Sequence, residues 1–586
     1  MKKNSLQKVL ATALVGAMAM GTLAGCGDDS AASNSSAASS SAPASSSQAS
    51  SSAPADSSQA SSSSSETAEP GIAGFTAFEN NVTLRIPVYD RGDSGNGCSD
   101  VQDNYWTKWV QENFGDQYNI TVEYVAITRN AVMNDYAMLA AGQDLPTVCM
   151  EYDYDKLATW QSEGYLQPYD MEQLKTVAPT FYQNMVDNNI DIYTQLNGED
   201  YLCLGTRPYG NTNYTWITWY RQDWIEQVGM TGYPKTNAEK LELFQKLVDA
   251  GIAEHPAGGT KVAGAGADQN YGWRDQPQDE LTWATTGDYQ VPALSTEAQK
   301  RLLKFENELY NRGFKDPEYY TRDGSEANSD FINGKTFEWS AYTSSTIDTL
   351  NAFYETNPDA KLGVVVNSGT LETDSEWGST NSFRPTNVFG CMTAFSNNAT
   401  EDEVKAAMMY MEWLSQEENL FTMTWGIEGV NYTVGENGDP VAVADQKGLA
   451  EQQGHNNNVD YWMIITAAKT LGSVEKDIKA ISPQGLPQDF YEDILANYKG
   501  QDKLYNNGAY SDCNFATSFD SVAEYGDSLK EQVYPEYRDQ LTMCKPEEFD
   551  ALYDELSQKY LDAGYQAIID ERKEAYEAGL STKLPQ

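Results

Sequence analysis

Between Val82 and Tyr152 the sequence alternates between extended and helical patterns, and this alternation limits the fold more than any other feature. Val82-Thr-Leu-Arg-Ile-Pro-Val-Tyr is a β-branched run that reads as a strand. A loop of Gly, Asp, Ser and Asn follows, then a helix containing Trp106 and Trp109. Asn119-Ile-Thr-Val-Glu-Tyr-Val-Ala reads as the next strand, and 131–141 as a helix stopped by Gly142. Pro146-Thr-Val-Cys-Met-Glu-Tyr is a third, more buried strand. Strand, helix, strand, helix, strand is the order of a parallel sheet covered by helices, which places the chain in the α/β class. Leu196-Asn-Gly-Glu-Asp-Tyr-Leu sets Asn-Gly between apolar positions, a hairpin signal. Downstream the pattern becomes helical, over 222–230, 236–251, 295–313, 401–416 and several stretches after 520. No internal repeat is present.

Not all of the chain can join this fold. From Ser30 to Ser65 it is almost only Ser, Ala, Gln and Pro, too polar to offset the entropy of ordering, and reads as a disordered linker. Such a tether of about 40 residues reaches about 35 Å. Upstream, lysines precede an uncharged run from Val9 to Ala24, which has signal-peptide length and is too short for a membrane span. The run ends in Leu23-Ala24-Gly25-Cys26, which resembles the lipobox of bacterial lipoproteins. That resemblance implies a signal peptide over 1–25, removal of it, and a lipidated Cys26 as the new N-terminus. Residues 26–69 would then tether the protein to the outer face of the cell membrane, with no contact except the lipid anchor. The folded part runs over 70–586, about 517 residues, more than one hydrophobic core normally spans.

Charge removes further classes. The chain has 86 acidic against 39 basic residues, a formal net charge of −47. Nucleic acid needs a basic surface, so it is excluded as a partner. The same field slows the approach of an anionic solute and leans toward neutral rather than uronate ligands, a lean that local arginines such as Arg207, Arg274 and Arg384 could reverse inside the cleft. With His255 and His455 the only histidines, a multi-histidine metal site is ruled out. Besides Cys26 there are Cys98, Cys149, Cys203, Cys391, Cys513 and Cys544, scattered without a CxxC and expected to be buried free thiols.

Several segments, taken in order, resemble the extracellular solute-binding proteins of ABC importers, in particular their large sugar-binding branch. Ala140-Ala-Gly-Gln-Asp-Leu-Pro-Thr-Val is similar to that family's turn into a strand, and Gly164-Tyr-Leu-Gln-Pro-Tyr-Asp to the motif that follows. Tyr220-Arg-Gln-Asp-Trp-Ile-Glu-Gln-Val-Gly-Met with Pro234-Lys-Thr, Phe331-Ile-Asn-Gly-Lys and Trp425-Gly-Ile-Glu-Gly-Val-Asn-Tyr match later motifs. The ending from Gly564 to Tyr576 is similar to the last helix. The resemblance implies a two-lobed periplasmic-binding-protein-like fold (type II), with discontinuous lobes, a hinge and a helical C-terminal region. Lobe one would take about 70–210 and 345–425, and lobe two about 211–344 and 426–586. It implies a monomer that closes on an oligosaccharide and delivers it to a permease pair driven by a separate ATPase. Some relatives carry a calcium loop after the helix near 250. Here Ala250-Gly-Ile-Ala-Glu-His-Pro lacks alternating oxygen ligands, and Asp187 to Asp191 breaks the EF-hand pattern at Ile192 and Gly198. No metal or cofactor is expected.

A neutral glycan offers hydroxyls and a mildly apolar face, so its site needs flat aromatic rings with Asp, Asn, Glu and Arg beside them. Tyr152 and Asp153 follow the third strand, and Tyr89, Asp90 and Arg91 end the first; strand ends are where open α/β sheets bind ligands. Trp216 and Trp219, Trp273 with Arg274, Trp339 and Tyr342, then Trp377, Arg384, Trp425 and Tyr432 complete the candidates. Trp106, Trp109, Trp224, Trp413 and Trp462 are assigned to packing, and Arg221 to a structural bond. No GxSxG elbow, Walker loop or dinucleotide fingerprint is present, so catalysis is not expected. A surface carbohydrate-active enzyme or glycan-adhesion lipoprotein is the alternative reading.

Overall fold

The computed structural model describes residues 72, 74–92, 99–129, 131–207, 216–259, 280–286, 291–322, 324–343, 346–366, 389–435, 437–442, 459–467, 471–482, 486–505 and 514–581. The chain divides into two units, Met1–Thr67 and Ala68–Gln586, and every described residue lies in the second. Cys26, Cys98, Trp273, Arg274, Trp377, Arg384 and Cys513 fall outside the described residues.

β1 (Val82–Asp90) and β2 (Ile120–Thr128) run parallel in unbroken register, from Val82 against Ile120 to Asp90 against Thr128. β3 (Val148–Glu151) lies beside β1, tied by the Thr147 N–H to the Arg85 carbonyl and by the Tyr89 hydroxyl to the Met150 carbonyl. The helix Val132–Ala141 makes the crossover between β2 and β3. β4 (Leu166–Gln167) is short, and β5 (Gln195–Leu196) and β6 (Glu199–Asp200) form the Asn-Gly hairpin. Asn197 and Gly198 both sit at positive φ, 51° and 86°, as a two-residue turn between twisted strands requires. β7 (Leu202–Thr206) follows.

The chain then leaves this sheet. β8 (Trp216–Arg221) is the centre of a separate antiparallel sheet, flanked by β9 (Glu338–Tyr342) and β10 (Leu362–Val364). Helices Asn237–Asp249 and Glu297–Asn311 start where Thr236 and Thr296 accept main-chain N–H groups three residues on. β11 (Phe389–Ser396) returns to the first sheet, wholly buried, pairing antiparallel with β3, β4 and β7. A full capping box, Thr400 with Glu403, starts the helix Glu401–Ser415, which packs against β1. The hairpin of β12 (Tyr432–Val434) and β13 (Pro440–Ala442) follows.

Two lobes result, each with its own core. The first joins Leu84, Val88 and Leu204 to Met392, Phe395 and Met408, and also takes in Tyr461, Met463 and Ile465. The second sheet packs Ile217 and Trp219 on Phe331, Phe353, Leu362 and Ile494. The expected lobe boundaries are corrected twice. Residues 347–364 belong to lobe two, because β10 pairs with β8 and brings the helix Ile347–Thr356 with it. Residues 459–467 belong to lobe one, where Tyr461 donates to the Val101 carbonyl at 2.8 Å.

The C-terminal helices Tyr534–Met543, Phe549–Tyr560 and Gln566–Glu577 build a further core with Leu303. No helix among the described residues is long and apolar enough to cross a membrane.

Candidate functional site

Where the chain crosses between lobes fixes where a ligand can sit. Lobe one is left at Arg207, re-entered at Phe389 and left again after Ala467. These points are adjacent, since Thr206 pairs with Phe389 and bridges Thr466. They share the edge at which β3 ends, for Glu151 pairs with Met392 near the start of β11. On lobe two the crossings meet the start of β8, the end of β10 and, beside them, the end of β9. Carboxyl ends of strands in open α/β sheets are where ligands bind.

On the lobe-one edge stand Asp90, Arg91, Arg129, Tyr152, Arg207 and Asp460. Asp460 has a fully buried side chain, and Arg91 meets it with two parallel hydrogen bonds, Nε to Oδ2 at 2.9 Å and Nη2 to Oδ1 at 2.8 Å. Those bonds raise the Arg91 pKa above its ordinary value. Tyr89 is buried beneath, with the Arg129 guanidinium 4.8 Å and the Arg91 guanidinium 5.9 Å from its ring centre. Half-buried Tyr152 donates its hydroxyl to the Met463 sulfur at 3.0 Å. Burial, with Cys391 and Asp460 nearby, pushes that phenol upward, while Arg207 and Arg91 pull the other way.

On the lobe-two edge Trp216 and Tyr342 are register partners, the outermost pair of β8 and β9. Two positions expected to bind ligand, 126 apart in sequence, are thus backbone neighbours beside the crossing.

Four expectations are corrected. Trp219 has no exposed surface and packs on Trp339, ring centres 5.4 Å apart. Trp339 is itself buried, stacked on Phe331 at 4.9 Å, with its indole N–H bonded to Asn328. Trp425 is buried against Phe421 and Tyr432. Asp153 is the N-cap of the helix Tyr154–Ser162, accepting from the Asp155 N–H, and also lies 3.8 Å from Lys156. Packing and capping use these four. Asp90 stays at the edge and accepts the Gly92 N–H at 2.8 Å. Arg221 has the expected structural role: it is buried, paired with Asp223 and laid over Trp224. Trp106, Trp224, Trp413 and Trp462 are core residues, and Trp109 packs half-buried against Trp106 and Trp413. Cys149, Cys203 and Cys391 are free and buried, and Cys544 is free and half-buried.

Arg129 and Asp460 were missed. Arg129 had a readable signal, because Asp90-Arg91 and Thr128-Arg129 end neighbouring parallel strands in register. Asp460 had none, lying 369 positions from its partner. Among the described residues no group of three or more His, Cys, Asp or Glu side chains could hold a metal ion.

Two lobes whose crossings meet at adjacent points, with a polar strand edge beside them, define a two-lobed binding protein. The chain matches the bacterial extracellular solute-binding protein family over residues 99–419, and it belongs to that family. Its members are binding proteins rather than enzymes, and so is this chain. No curated protein matches it in sequence. Among solved structures it is similar to the alginate-binding protein AlgQ2 without calcium ion (15% identity, 86% of this chain and 99% of that one, TM-score 0.54). It is also similar to an HMO-binding, ABC-transporter-associated solute-binding protein from Bifidobacterium longum infantis (13%, 85% and 99%, TM-score 0.55). A third is the N-glycan transport solute-binding protein NgtS from Streptococcus pneumoniae (12%, 85% and 99%, TM-score 0.50). Identities this low establish a common fold, the two-lobed periplasmic-binding-protein-like one.

Proposed function

We propose that this protein captures an oligosaccharide between its lobes and delivers it to an ABC transporter permease pair whose ATPase is a separate chain. The observation that carries this reading is the polar edge beside the lobe crossings, where Arg91 forks onto buried Asp460 and Tyr152 bonds to Met463. Aromatic rings supply stacking faces for sugar C–H groups, and forked donors bind vicinal hydroxyls. The alginate-binding, HMO-binding and N-glycan transport proteins among its structural neighbours support the same class.

The excess of acidic residues leans toward a neutral glycan rather than a uronate, a lean that arginines inside the cleft can reverse locally. Diacylation at Cys26 and a flexible linker keep the lobes near the outer face of the cell membrane as a monomer. Hinge closure traps the sugar, and the closed form docks on the permease.

Native mass spectrometry of the protein with mixed neutral oligosaccharides tests the reading. One intact glycan retained per chain is expected. Shortened glycans in solution would overturn it in favour of a carbohydrate-active enzyme.

A further inference from the structure

We propose that the lobe-one wall of the site is built to receive one carboxylate, carried by a sugar ring of an otherwise neutral glycan, and that Arg129 selects it. This rests on the sugar-binding reading above.

With 86 carboxylates for 39 basic residues, most guanidinium groups with a described ion pair are held by acids of the protein itself. Arg85 meets Asp144 at 2.9 Å, Arg221 meets Asp223 at 2.6 Å, and Arg322 lies between Asp316 and Asp330. Arg129 differs. Among the described residues it makes no ion pair, and its side chain rests on the Tyr89 ring. It is half-buried at the edge where β2 ends.

The acids nearby are already engaged. Asp460 is bound by Arg91, Glu151 lies 3.4 Å from Lys156, and Asp90 accepts the Gly92 N–H. Asp135, on the helix after β2, is turned to the Thr128 N–H at 2.7 Å. Each of these acids thus has another partner, and none of them is ion-paired with Arg129.

A guanidinium resting on an aromatic ring keeps its edge N–H donors in the plane, the geometry that takes a carboxylate through two parallel bonds. A hydroxyl pair would fill the donors and leave the charge unanswered. Arg91 is held by Asp460 and serves to fix the wall. The negative field of the whole protein opposes a ligand with many charges, so a single carboxylate at this wall satisfies both constraints.

The test uses matched pairs: uronate-bearing oligosaccharides and the same chains with each carboxyl converted to its methyl ester, titrated into the full protein by calorimetry. We expect the acid of at least one pair to bind about ten-fold more tightly than its ester, with the preference shrinking at 0.5 M salt, roughly as a partly screened ion pair does. Arg129→Gln should bring the acid down to the level of the ester. Arg129→Lys, which keeps the charge without the fork, should retain part of the preference, and melting curves of both variants report folding. Equal binding of acid and ester by the unaltered protein would overturn the carboxylate proposal and leave sugar binding standing. Binding of neither form across the panel would overturn both.

Discussion

Asp460 keeps a buried carboxylate in lobe one because Arg91 reaches it from the end of β1. Removing the guanidinium leaves that charge without its forked partner, so Arg91→Ala should cost roughly 2–4 kcal/mol in urea unfolding. Arg91→Ala combined with Asp460→Asn should cost less than the single change. The buried thiols give a second test. Burial pushes Cys203 up to about 12 from an ordinary 9.0. A group whose pKa is raised on folding contributes stability fully below its unfolded value and loses it as pH rises through the folded value. The neutral Cys203 thiol therefore contributes below pH 9, and that contribution should fade between about pH 9 and 12. Cys203→Ala should show a shallower loss of melting temperature over that range. Residue identity alone was a poor guide to the site. Trp216 and Trp219 sit three apart on β8, at opposite parity. The alternation of a strand puts Trp219 beside Ile217 on the core face.

At the scale of elements, local pattern was legible wherever local forces decide. β-branched runs became β1 to β3, Asn-Gly became the hairpin, and the helices near 237 and 401 begin one residue or fewer from where they were expected. The return of 459–467 to lobe one was not legible, because it depends on contacts hundreds of residues apart. The turn Leu561–Tyr565 shows a constraint that only packing reveals. Gly564 has φ +126°, and a Cβ there would lie 2.3 Å from Cγ of Tyr525. Gly564→Ala should destabilise by about 2 kcal/mol or more, read as a lowered urea midpoint. In lobe two, Arg322 binds Asp316 and Asp330, each at 2.5 Å, beneath the loop at 252–259. Burial works against it, but the Glu318 N–H and the Arg322 guanidinium hold the Asp316 carboxyl below its usual range. The cation in this cluster is covalently attached. A chelator should leave the melting temperature unchanged, whereas Arg322→Met should lower stability by roughly 2–4 kcal/mol.

At the scale of the molecule, lobe one also touches the C-terminal helices. Arg572, almost fully buried over Phe515 and Phe519, lies 3.6 Å from Asp155, and the Asn197 N–H donates to the Ala516 carbonyl at 3.1 Å. Contacts of this kind bias the equilibrium between open and closed forms. Arg572→Met should give a larger radius of gyration without ligand in X-ray scattering, and about three- to ten-fold weaker sugar binding.

The same long-range connectivity bears on how the protein is made. The first core needs Tyr461, Met463 and Ile465 beside Val88 and Leu204. Lobe one is therefore incomplete until translation has passed residue 467, after the whole second sheet has been synthesised. A chain that must cross a membrane unfolded benefits from that delay. The signal peptide proposed for residues 1–25 would emerge from the ribosome first, and the segment that closes the first lobe comes late, so the secretion machinery could engage the chain before a complete lobe forms to block it.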